Sequence, residues 1–209
     1  MLELFERGGI MMYPLALASL IALAFIIERA LLLRKRKILI PEIISVVSNF
    51  STLKDIDLAK TICEKYEGPL PNVIKLGLQN YGLPKNEIRE ILEDQGRQEI
   101  RKLGRGLAVL ETIAVISPLM GLLGTVLGMV RVFEVIKDQG IGQTAALSGG
   151  ISEALLTTVT GLFIGIPVLI AYNYYVTKSE SLVLDIEKYT NSLVQKINQI
   201  HISDSVQDK

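Results

Sequence analysis

The chain has 209 residues, 49% of them hydrophobic, with 22 Lys plus Arg against 22 Asp plus Glu, one cysteine and no tryptophan. A net charge of zero names no partner, and a single cysteine excludes an intramolecular disulfide. Three long apolar runs exclude an ordinary water-soluble domain, whose helices would carry charge on their outer faces at every turn.

The first run, Gly8 to Ile27, has no charged residue. About 20 helical residues cross roughly 30 Å of hydrocarbon, so this run is long enough to span a membrane. It is too long for the apolar region of a signal peptide, and no small-residue cleavage site follows it. Glu28-Arg29 and then Arg34 to Lys37 come next. Directly after a span, such a basic cluster reads as a cytoplasmic anchor rather than a nucleic-acid patch, and no nucleic-acid partner is expected.

The connecting segment predicts helices around Leu58 to Tyr66 and Val73 to Tyr81. Gly68-Pro69-Leu70-Pro71 breaks the first and Gly82-Leu83-Pro84 the second. Cys63 lies in this segment and is expected to stay reduced. After Pro84, the spacing of Ile88, Ile91, Leu92 and Leu103 predicts an amphipathic helix running without interruption into the second apolar run, Thr112 to Val130. The third run is Ala154 to Thr177. Beyond it, Leu182, Ile186, Tyr189, Leu193 and Ile200 keep a spacing of three and four, which predicts that the third span continues as a helix packed on neighbours. The tail from Ser203 is polar and expected to fray, and His201, the only histidine, is an incidental surface residue.

The expected fold is therefore all-α: an integral membrane protein with three transmembrane helices and long cytoplasmic helical extensions. Residues 1–33 form the N-terminal periplasmic segment and first span, and 34–106 a cytoplasmic helical loop. The second span occupies 107–136, a short periplasmic connection 137–145, the third span 146–177, and a cytoplasmic helix and tail 178–209. Lys and Arg gather after the first span, before the second and after the third. The bias puts the N-terminus outside and the C-terminus in the cytoplasm of a bacterial inner membrane.

Chemistry concentrates in the last two spans. Glu153 is the only charged residue from Gly140 to Thr177. A carboxylate near mid-bilayer costs roughly 2.5–3.5 kcal/mol on insertion scales, so such residues are rare and usually functional. A carboxylate in the headgroup zone, beside threonines that only pack helices, is the plainer alternative. On a helical wheel Ser117, Gly121, Gly124 and Gly128 share one face, with Thr125 at its border. Ala154, Thr158, Gly161 and Gly165 share another, flanked by Glu153, Thr157 and Thr160. Gly124/Gly128 and Gly161/Gly165 each form a GxxxG pattern that lets backbones approach closely. Thr125 and Thr158 fall within about one turn of each other in depth. Three helices cannot enclose a path, so a lined pore requires a homo-oligomeric ring. Pro118 and Pro167 are candidates to bend these helices.

GLLGTVLGM (Gly121 to Met129), the stretch from Glu153 to Asn173 and the opening from Gly8 to Arg29 resemble the ExbB/TolQ/MotA proton-channel family, most nearly its ExbB branch. The resemblance implies a pentamer around single-span helices of an ExbD- or TolR-like partner that carries an aspartate. Proton passage then drives work on a TonB- or TolA-like protein. It also implies that Thr125 and Thr158 line the pore and that Glu153 is the family's span-three glutamate; no role is carried onto Glu111. The membrane lipid is the remaining expected partner. No cofactor or metal is expected, the proton being the transported ion, and no enzyme activity. Gly150-Ile151-Ser152-Glu153 fits a G-x-S-x pattern, but Ser152 has no membrane histidine or lysine to serve as base. A transporter lacks the expected inverted repeats, which leaves a non-conducting scaffold as the competing class.

Overall fold

The structure is a computed structural model that describes residues 8–49, 54–140 and 144–207. Every described regular element is helical: α1 (Met12–Leu32), α2 (Lys35–Ile38), α3 (Pro41–Asn49), α4 (Lys54–Glu64), α5 (Pro69–Gln79), α6 (Lys85–Gly104), α7 (Leu107–Gln139) and α8 (Thr144–Gln207). The chain divides into two compact units. One holds Met1–Arg29 with Gly106–Tyr175, the other Ala30–Arg105 with Val176–Lys209.

Within the first unit, α1, α7 and α8 supply three helices long and apolar enough to cross a membrane. α1 begins at a glycine turn: Gly9 has φ +68°, and the Met12 amide donates to its carbonyl at 3.2 Å. Pro14 falls in the first turn, where a missing N–H costs no helical hydrogen bond. One narrow face, with Leu15 and Ala22, is buried, whereas Leu20 is 67% exposed. The same inversion marks α8, where Phe163 is 78% and Ile170 66% exposed. Apolar exposure on this scale is what a membrane-crossing helix shows toward lipid. The Tyr175 hydroxyl, near the end of this unit, donates to the Ile26 carbonyl at 3.1 Å and ties α8 to α1.

α6 and α7 are separate helices, which corrects the expectation of an uninterrupted helix into the second span. Gly106, with φ +87°, starts α7 in the left-handed region that glycine alone adopts without strain. A Cβ there would also lie 2.9 Å from the Phe25 ring, so space and backbone angle ask for the same residue.

The second unit packs α3, α4, α5 and α6 with the last part of α8. Its centre is aliphatic: Ile43, Val47, Ile56, Leu70, Ile74, Leu78, Ile88, Leu92, Leu193 and Ile197 are all buried. Gly68-Pro69-Leu70-Pro71 opens α5 instead of only breaking the chain. Pro69 is the first helical residue and Pro71 the third, positions whose N–H groups lie in the unbonded first turn. Glu99 is buried, yet its Oε1 accepts from Asn72 Nδ2 at 3.1 Å, Gln95 Nε2 at 3.1 Å and Lys102 Nζ at 2.8 Å. A buried carboxylate needs such donors; here Asn72 comes from α5 and the other two from α6. Two surface contacts reach the last part of α8: an ion pair of Lys35 with Asp185 at 3.2 Å and a hydrogen bond donated by Lys196 to the Ser48 carbonyl.

Candidate proton path between the second and third spans

α7 and α8 form an antiparallel pair whose seam is made of small residues. A Cβ on Gly161 would lie 2.5 Å from the Ser117 carbonyl oxygen, and one on Gly121 3.0 Å from the Thr158 Cα. At Gly128 it would meet the Ala154 Cβ at 2.9 Å, at Gly124 the Thr157 hydroxyl at 2.5 Å, and at Gly165 the Pro118 ring at 2.7 Å. Backbone thus packs on backbone along both GxxxG patterns, as membrane helices do where no hydrophobic force drives them together. Gly165 also faces the Ala114 carbonyl, which Pro118, lacking an N–H, leaves without its helical donor.

Thr125 and Thr158 meet across this seam, hydroxyl to hydroxyl. The Thr158 hydroxyl also reaches the Gly121 carbonyl at 3.1 Å, while that of Thr125 reaches the carbonyls of Gly121 at 3.3 Å and Ala154 at 3.2 Å. Two hydroxyl protons therefore have four oxygens to choose among, and each hydroxyl can turn from donor to acceptor without moving a heavy atom.

The other polar residues separate into structural positions. Thr157 is buried in the seam against Gly124, and its hydroxyl donates back to the Ala154 carbonyl at 2.8 Å. Sequence reasoning placed it on a flanking stripe. Thr160 donates to Leu156 O at 2.8 Å, in its own helix. Ser117 is fully buried, and its hydroxyl has no hydrogen-bond partner among the described residues.

Glu153 is not hydrogen-bonded to either threonine. Its Oε1 accepts from Arg131 Nη1 at 2.5 Å, with the carboxylate side chain 19% and the guanidinium side chain 52% exposed. The sequence reading gave Arg131 no role at this site. The signal that finds it is the hairpin itself: Thr125 and Thr158, Gly121 and Gly161, and Arg131 and Glu153 all lie nearly equidistant in sequence from the connection after Gly140. In an antiparallel pair that symmetry sets partners.

A family model described as the MotA/TolQ/ExbB proton channel family matches residues 65–188. The chain belongs to that family. ExbB-like protein 3 of Synechocystis sp. is 32% identical over 173 residues, covering 80% of this chain and 81% of that protein. The biopolymer transport protein ExbB of Neisseria gonorrhoeae is 31% identical over 148 residues, 64% of this chain and 67% of its own. ExbB of Aquifex aeolicus is 33% identical over 114 residues, 54% and 76% of the two chains. Within the MotA/TolQ/ExbB family, this chain is most like ExbB. The matched region takes in the whole seam from Ser117 to Gly165, so the facing threonines lie inside the part shared with the proton-channel family.

Proposed function

We propose that the chain is the channel subunit of an inner-membrane motor for biopolymer transport, in which several copies form a ring and protons pass along a path lined by Thr125, Thr158 and Glu153. The single observation that carries this reading is the pair of facing hydroxyls with interchangeable acceptors. Such a pair can pass a hydrogen-bond chain or solvate a carboxyl brought beside it, and it cannot itself titrate. The titrating group then belongs to a partner, a single-span protein like ExbD or TolR with an intramembrane aspartate. Its protonation cycle is coupled to work on a TonB- or TolA-like envelope protein. The exposed apolar faces of α7 and α8 suit a pentameric ring embedded in lipid. The connection between these helices faces the periplasm and the C-terminus the cytoplasm, following the Lys/Arg bias.

One observation favours the scaffold alternative: the same hydroxyls also bond backbone carbonyls across the seam, as packing threonines do. Substitution separates the two. With the partner co-expressed and the complex in liposomes, T158A is expected to lower proton flux by about 10-fold or more, the scale of a lost proton-transfer contact, with T158S keeping most of it. Full flux from T158A and T125A in intact rings would make the two hydroxyls packing groups and remove them from the path, whereas no proton flux from the wild-type complex would establish the scaffold.

A further inference from the structure

Three elements of the first unit converge on the Glu153 carboxylate. Arg131 of α7 donates to it at 2.5 Å, and α8 carries it. The glycine turn before α1 lies directly on it: a Cβ at Gly9 would overlap the carboxylate, and Gly9 already has φ +68°. A Cβ on the neighbouring Gly8 would meet only the flexible Met12 side chain, so the close approach to Glu153 belongs to Gly9.

We infer that Arg131 and Gly9 are positioning residues for Glu153, holding its carboxylate as the anionic half of a clasp that joins the start of α1 to the α7–α8 pair. The inference rests on the proposed placement of Glu153 on the proton path and narrows its role there. Guanidinium stays charged under all ordinary conditions, and a charge-assisted bond to carboxylate is among the stronger hydrogen bonds. The clasp fixes where the carboxylate sits, Arg131 holding it from α7 and the Gly9 turn closing on it from before α1. The residue therefore shapes and polarises the mouth of the path while the travelling proton rides on another group. Arg131 contacts no transported ion; it acts through Glu153.

Modification by N,N′-dicyclohexylcarbodiimide, which adds to protonated carboxyls in apolar surroundings, tests this on the full chain in detergent, with peptide mass spectrometry reading Glu153 against Glu111. Wild-type Glu153 is expected to label slowly. R131Q should raise the labelling about tenfold, the population ratio of one charge-assisted hydrogen bond, R131K should restore protection, and G9A should raise labelling by displacing the carboxylate. A packing role alone predicts no rescue by lysine. Equal labelling of Glu153 in wild type and R131Q overturns the clasp. If R131Q loses its folded elution profile, the wild-type comparison decides, and Glu153 labelling as fast as Glu111 overturns it. The measurement needs neither partner nor flux, so its failure and that of the channel reading are distinguishable.

Discussion

The seam between α7 and α8 buries glycine, alanine and threonine with large aliphatics outside, whereas the unit built on α3 to α6 buries isoleucine and leucine with charges outside. Each arrangement answers its solvent. In water, removing apolar surface is the main driving force at roughly 25 cal/mol per Å². In lipid that force between helices vanishes, and close backbone contact with hydroxyl-to-carbonyl bonds replaces it. Polar groups follow the same division. Glu99 in the second unit is satisfied by side-chain donors from two helices, while Thr125 and Thr158 in the seam use backbone carbonyls.

The contrast can be broken hardest at Gly161. G161L would drive a side chain into the Ser117 carbonyl and the Gly121 backbone, neither of which can rotate away. Its expected cost is about 3 kcal/mol or more, read as a lost thermal transition of the purified protein in detergent. I74A, a cavity in the aliphatic core, is expected to cost about 2–5 kcal/mol and to lower denaturant resistance of the second unit's helices; an equal loss from F163A, on an exposed face, would erase the distinction between the units.

Cys63 sharpens the contrast through pH. Burial pushes its thiol from 9.0 up to about 11; Lys75 pulls down and Glu64 pushes up. A raised acid favours the folded state fully below pH 9 and less as pH climbs toward 11, so the second unit should lose stability over that window. At pH 8, iodoacetamide should alkylate Cys63 about 100-fold more slowly than an unhindered thiol with the ordinary value. Alkylation at the ordinary rate would show an open core. The smallest effect belongs to Gly96 in α6, where a Cβ meets nothing within 4 Å. G96A should stabilise by about 0.5–1 kcal/mol through helix propensity, measured by the same melt, opposite in sign to substitution at any seam glycine.

Much of this was legible in the residues. Uncharged runs of span length announced the three membrane helices, and the wheel placed Thr125 beside the face of Gly121 and Gly128. The expectation of one helix from Pro84 into the second span failed at Gly106, since Gly96, Gly104 and Gly106 look alike in the pattern and only the last has a left-handed φ and the Phe25 ring beside it. Pro69 and Pro71 misled in the opposite direction, because proline breaks a helix from within and starts one from its edge.

Composition and periodicity determined the solvent of each helix, its length and the identity of the polar residues inside the membrane, because the bilayer constrains those properties residue by residue. That Thr157 packs into the seam while the Thr158 hydroxyl turns to Thr125, and that Gly9 lies on Glu153, were decided only by tertiary structure. Those pairings depend on the register and rotation of one helix against another, which close contacts between distant backbone atoms fix and no local pattern encodes.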